Sequence, residues 1–89
     1  MKEYKIDVEL HQVGDHEQND YRLFLNDELM LERPWNLPHG YEYQVVHLTC
    51  NLDKGGNAVQ LQNLNGNLEL GKINIDNKEI QHTNGYFEL

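Results

Sequence analysis

Residues 55–80, GGNAVQLQNLNGNLELGKINIDNKEI, decide the fold. Val59 and Leu61 alternate with Gln60 and Gln62, and beyond an Asn/Gly loop come Leu68, Leu70, Ile73 and Ile75. That two-residue period belongs to strands with one buried face. The phase slips between Leu70 and Ile73, which are three apart, and Gly71 stands at the slip. A glycine inside a strand marks a bulge, which accounts for the slip. Asp76-Asn77 then predicts a tight turn into a short strand around Ile80.

The same alternation opens the chain, where Tyr4, Ile6, Val8 and Leu10 interleave with Lys5, Asp7 and Glu9. Residues 13–20, VGDHEQND, read as a loop before a strand carrying Tyr21, Leu23 and Leu25. Asn26-Asp27 separates that strand from Leu29-Met30-Leu31, and both residue types tolerate the positive φ of a hairpin turn. Phe24 and Met30 then fall opposite Leu23, Leu25, Leu29 and Leu31, which suggests a hairpin covered on both sides. Residues 33–40, RPWNLPHG, hold both prolines and the only Trp and read as a loop. Residues 41–50 resume extended structure, with Tyr41, Tyr43, Val45 and His47 on one face and Val46, Leu48 and Cys50 on the other. A strand apolar on both faces is expected at the centre of a sheet. Asp53-Lys54-Gly55-Gly56 predicts a turn, and residues 86–89 a strand closing a sheet edge. Seven or eight short strands in 89 residues predict a single all-β domain, a small antiparallel β-sandwich of jelly-roll type, with an open barrel as the alternative.

Composition narrows the function. Fifteen acidic against seven basic residues, a formal charge of −8, exclude nucleic-acid phosphates and anionic membranes as natural partners, since both require a basic patch. The alternating N-terminus is neither a signal peptide nor a membrane span, so a soluble chain is expected, cytoplasmic or virion-associated. No Ser is present, which excludes a Ser-His-Asp triad, and the single Cys50 excludes an intramolecular disulfide. Stability must come from packing, a metal or assembly with other chains.

The remaining candidate chemistry has plain structural alternatives. Asp7 and Glu9 share a strand face, but they alternate with core residues and read as a solvated surface. His47 and Cys50 are three apart, hence on opposite faces of a strand, and no second Cys supports zinc. Cys50 itself reads as an inert core thiol. No catalytic set emerges, so no enzyme is expected. Calcium is the one cofactor with candidate ligands, at Asp53, Asn57, Asn63, Asn65, Asn67, Asp76 and Asn77. An EF-hand reading of Asn63-x-Asn65-Gly66 fails, because Leu61 and Lys72 occupy its first and twelfth positions. Turn formation explains the same Asn and Asp residues. Trp35, Tyr41, Tyr43 and Tyr86 offer a stacking platform for sugar rings, with Trp35 favoured because it lies between two prolines in a loop.

The pattern Gly56-Asn57-x-Val59-x-Leu61-x-Asn63, a polar loop, then Leu70-x-x-Ile73-x-Ile75-Asp76-Asn77-x-x-Ile80 resembles the C-terminal half of small jelly-roll carbohydrate-binding modules, in particular the calcium-dependent xylan-binding ones. Ile6-x-Val8-x-Leu10 and the hairpin at Leu25-Asn26-Asp27-Glu28-Leu29 fit the same order of elements, so the likeness covers about two-thirds of the chain. The resemblance implies a non-catalytic glycan-binding β-sandwich, with Asn63, Asn65 and Asn67 at the positions of the family's ion site. This chain departs from the family in lacking an acid after Asn63, where Leu64 stands, and in its Asn65-Gly66-Asn67 loop. Without carboxylate charge such a site would hold calcium weakly. The expected ligand-binding residues are therefore Trp35, Tyr41, Asn63, Asn65 and Asn67, with a glycan or another protein as partner. The alternative is a structural or interaction protein, with homo-oligomerisation through exposed strand edges. The Asn-rich, Ala-poor composition and the absence of a linker suit a bacteriophage accessory or virion component.

Overall fold

A computed structural model describes residues 3–12, 20–34, 43–63 and 68–89. They form eight strands: β1 (Glu3–Gln12), β2 (Asp20–Leu25), β3 (Glu28–Pro34), β4 (Tyr43–Asn51), β5 (Gly56–Asn63), β6 (Leu68–Ile75), β7 (Lys78–Ile80) and β8 (Tyr86–Glu88). All pairings are antiparallel, and they fall into two like sets. In the first, β1 pairs with β4 and β2 with β3; in the second, β5 pairs with β8 and β6 with β7. Pairing of β1 with β6 and of β2 with β5 joins the sets into two sheets, ordered β4-β1-β6-β7 and β3-β2-β5-β8. Two interlocked four-strand sets, or keys, make a small antiparallel β-sandwich.

Each key turns on the same two-residue device. Asn26-Asp27 and Asp76-Asn77 have positive φ at both positions, 50° and 68° in the first and 49° and 68° in the second, as a type I′ hairpin turn requires. The first turn residue also clamps the neighbouring strand. Asn26 donates its N–H to the Ala58 carbonyl (2.9 Å), and its Oδ1 accepts the Ala58 N–H (2.8 Å). Asp76 does the same to Lys5, at 2.9 and 3.0 Å. A third turn, Asn84-Gly85 (φ 50° and 91°), brings Thr83 back onto Tyr86.

The core lies between the sheets. Ile6, Val8, Leu10, Val46, Leu68, Ile73 and Ile75 of one sheet meet Tyr21, Leu23, Leu25, Val59 and Phe87 of the other. The expected bulge is present: Val8 opposes Ile73 and Leu10 opposes Leu70, leaving Gly71 and Lys72 across from Glu9. A second bulge corrects the hairpin pattern. Leu23 opposes Leu31 but Phe24 opposes Leu29, so Met30 is the extra residue and packs with Leu31 against the core, while Leu29 stands exposed on the Phe24 face. Pro34 belongs to β3 rather than to a loop, because an edge strand can spare the N–H that proline lacks. The largest departure is β4. Its two-faced apolar pattern predicts a central strand, yet among the described residues it lies at the edge of its sheet, with only β1 beside it. Among the described residues no helix is long and apolar enough to cross a membrane.

Candidate functional site

The outer face of the β4-β1-β6-β7 sheet gathers the polar and aromatic groups that alternate with the core. From β1 it takes Lys5, Asp7, Glu9 and His11, and the β1–β4 register sets them against Thr49, His47, Val45 and Tyr43. The carboxylates are not simply solvated, as the alternation alone suggests. His47 Nδ1 lies 2.6 Å from Asp7 Oδ1, and His11 Nε2 is hydrogen-bonded to Glu9 Oε1. Each carboxylate side chain is left only about a quarter exposed, at 24 % for Asp7 and 22 % for Glu9.

The bulge makes room for a ring. A Cβ on Gly71 would sit 2.5 Å from His11 Cδ2 and 3.1 Å from Glu9 Oε1, so the imidazole rests where any other residue would place its side chain. In that position it stacks on Tyr43, with centroids 5.8 Å apart and planes 27° from parallel. His82 holds the bulge from the other side. Its Nε2–H donates to the Gly71 carbonyl (2.7 Å) because its Nδ1 is already accepting the Gly85 N–H (3.0 Å). Sequence order separates the Glu9–His11 pair, Tyr43 and Gly71 widely, and the sheet register brings them together. The result is an open shelf of two stacked rings, with Tyr43 56 % and neighbouring Val45 37 % exposed and Glu69 set against His11 from β6.

The expected site residues fare differently. Trp35, Tyr41, Asn65 and Asn67 lie outside the described residues. Asn63 ends β5, and its side-chain amide donates to the Asp20 carbonyl at 3.1 Å, tying β5 to the start of β2. The candidate calcium ligand Asn57 is 1 % exposed and fully committed within the fold. Its Oδ1 accepts from the Asp53 N–H (2.9 Å) and from Asn26 Nδ2 (2.9 Å), and its Nδ2 donates to the Asp53 and Gly55 carbonyls. Asp76 Oδ1 is occupied by Lys5. Among the described residues no group of three or more His, Cys, Asp and Glu could hold a metal ion. The aromatic set is divided, since Tyr86 lies on the other sheet, where its ring covers Gly56 and its hydroxyl donates to Glu88 (3.2 Å).

Cys50 faces inward opposite Tyr4, and His47 faces outward, as their spacing requires. Burial, then the charges of Glu28 and Glu3, push the Cys50 thiol up, which keeps it protonated and unreactive. Burial likewise raises the Tyr21 phenol, partly opposed by the Arg33 guanidinium beside it. A shallow depression on the outer face of the other sheet is lined by Phe24, Asp27, Gln60, Leu61 and Gln62. Comparison of the chain with known protein families, with curated proteins and with solved structures finds no match in any of the three.

Proposed function

We propose that the protein is a non-catalytic binding module whose ligand is a carbohydrate, held on the outer face of the β4-β1-β6-β7 sheet. The observation that carries this reading is the Tyr43–His11 stack over Gly71, open to solvent and flanked by the Glu9 carboxylate, with the Asp7–His47 pair further along the same face. A sugar ring presents an apolar face of C–H groups and a rim of hydroxyls. Aromatic rings meet the first, and carboxylate and imidazole groups bond the second. The shelf is open rather than enclosed, which suits a polysaccharide chain passing across it.

Binding to an array of neutral and acidic glycans tests the reading, with Tyr43→Ala as the site variant and calcium chelation as a separate arm. Loss of signal in Tyr43→Ala is expected. Absence of glycan binding by the wild-type protein overturns the proposal, and binding that Tyr43→Ala leaves intact moves the site elsewhere, with Trp35 and Tyr41 next to be substituted. A second reading, a structural or protein-interaction role such as a virion component would have, draws support from the edge of β4, which no strand among the described residues pairs.

A further inference from the structure

We propose that β4 pairs edge to edge with β4 of a second copy of this chain, giving an antiparallel dimer with one continuous eight-stranded sheet. The inference stands independently of the glycan reading. It starts from the mismatch between what β4 is made of and where it lies. Its sequence, YQVVHLTCN, is apolar on both faces and contains no Asp, Glu, Lys, Arg, Pro or Gly, in a chain that is 25 % charged. That is the composition of a central strand, yet among the described residues nothing pairs with its outer side.

Sheet edges are ordinarily guarded by brevity, charge, proline or a bulge. The other three edges of this sandwich follow that rule. β3 carries Glu28, Glu32 and Arg33, contains the Met30 bulge and ends on Pro34. β7 has three residues, including Lys78 and Glu79, and β8 has three, including Glu88. β4 has nine residues and runs against β1 without a register shift. It is also three times as long as β8, its counterpart in the second key. In an acidic chain of net charge −8, the charge-free edge is where two identical copies meet with least repulsion.

The pairing also has a defined register. For buried faces to continue across the junction, the two-fold axis must pass through a residue rather than between two, because side chains alternate. For all nine residues to pair, that residue is His47. Val45 then faces Thr49 of the second copy, Val46 faces Leu48, Gln44 faces Cys50 and Tyr43 faces Asn51.

Light scattering on the purified chain from micromolar to millimolar concentration should give twice the 10.5 kDa of one protomer. His47→Glu, which sets two carboxylates against each other at the axis beside Asp7, should shift the protein to the single-chain mass while its circular dichroism stays that of a β protein. The double variant Val45→Cys/Thr49→Cys should form intermolecular disulfides under mild oxidation, well beyond any formed through Cys50 in the wild type. Directly opposed residues are within disulfide reach, at about 4.5–5.5 Å between Cα atoms. The two new cysteines of one chain are four residues apart, about 13 Å, and cannot bridge each other. This crosslink decides the matter even if His47→Glu fails to fold. A wild-type monomer at every concentration overturns the proposal, as does a dimer that neither dissociates in His47→Glu nor crosslinks in the double-cysteine variant. Pairing of β4 only with a strand of some other protein would appear as the first of these results.

Discussion

Replacing Asn57 by alanine should cost this domain about 2–4 kcal/mol, because one buried amide makes four hydrogen bonds there. Each such bond contributes about 0.5–1.5 kcal/mol net, giving a gross loss of about 2–6 kcal/mol. The upper end is unreachable, since the freed Asp53 and Gly55 groups lie in a surface turn where water replaces part of the loss. A domain of this length has roughly 4–13 kcal/mol in all, so the variant keeps its fold with much of its margin gone. Urea denaturation followed by tryptophan fluorescence or circular dichroism gives the difference, read as a change in midpoint at constant slope. Asn26→Ala removes the bond to Asn57 and the acceptor for the Ala58 N–H, and should cost less, about 1–2 kcal/mol. Because the two residues share one bond, the double variant should fall short of the sum by about 0.5–1.5 kcal/mol. A loss under about 1 kcal/mol for Asn57→Ala, or strict additivity, would refute the claim that this amide joins the turn after β4 to the β2–β3 hairpin.

Two glycines should respond in opposite ways. Gly85→Ala forces a side chain onto a φ of +91° and into the Val59 carbonyl oxygen, and should destabilise by more than about 2 kcal/mol or abolish expression. Gly71→Ala meets only the far end of the His11 ring and the Glu9 carboxylate, which can swing away, so thermal unfolding should change by no more than about 1 kcal/mol while glycan binding at the Tyr43 shelf is lost. Stability should decline in alkali. Cys50 and Tyr21 have pKa values raised above 9.0 and 10.0 in the fold, so the native state holds protons that the unfolded chain releases. Their contribution is complete below about pH 9 and is lost as pH rises through the folded values; urea midpoints measured between neutral pH and pH 11 should fall, with the earlier part of the fall missing in Cys50→Ala. A flat profile would contradict both burial assignments.

The fold was legible because its signals are local. Alternation at Ile6, Val8 and Leu10, the Asn26-Asp27 and Asp76-Asn77 turns and the slip at Gly71 each follow from a few neighbouring residues, and each has its counterpart in the structure. The Asn84-Gly85 turn was equally open to reading, since Asn-Gly is the strongest two-residue turn signal. The likeness of the two keys is partly visible as Leu23-x-Leu25-Asn26-Asp27 beside Ile73-x-Ile75-Asp76-Asn77, though nothing flanking these segments repeats. What alternation cannot supply is register between distant strands. His11 and Tyr43 come together only because β1 and β4 pair with Asp7 opposite His47, and the ring settles only because the bulge places a glycine beneath it. Met30 escaped for a related reason: a bulge without a glycine leaves no mark in the pattern.

The two proposals meet on the same strand, and their combination has a consequence that neither has alone. With His47 on the two-fold axis, the outer faces of both copies lie on one side of a continuous sheet, and the two Tyr43 rings sit at opposite ends of the β4 pair. Four residues separate each from the axis, so they are about 27 Å apart along the strands, at 3.4 Å per residue. A polysaccharide long enough to cross that distance engages both shelves, and its second contact is intramolecular, which strengthens binding by effective concentration rather than by any new bond. A short oligosaccharide reaches only one. The ratio of affinities for long and short forms of the same glycan should therefore be large where the wild-type protein is dimeric, and should approach the per-site value on dilution below the dimer's dissociation constant. If the ratio is independent of protein concentration while the dimer itself is established, the two shelves do not face one ligand, and the glycan site must be placed away from the β4-β1-β6-β7 face.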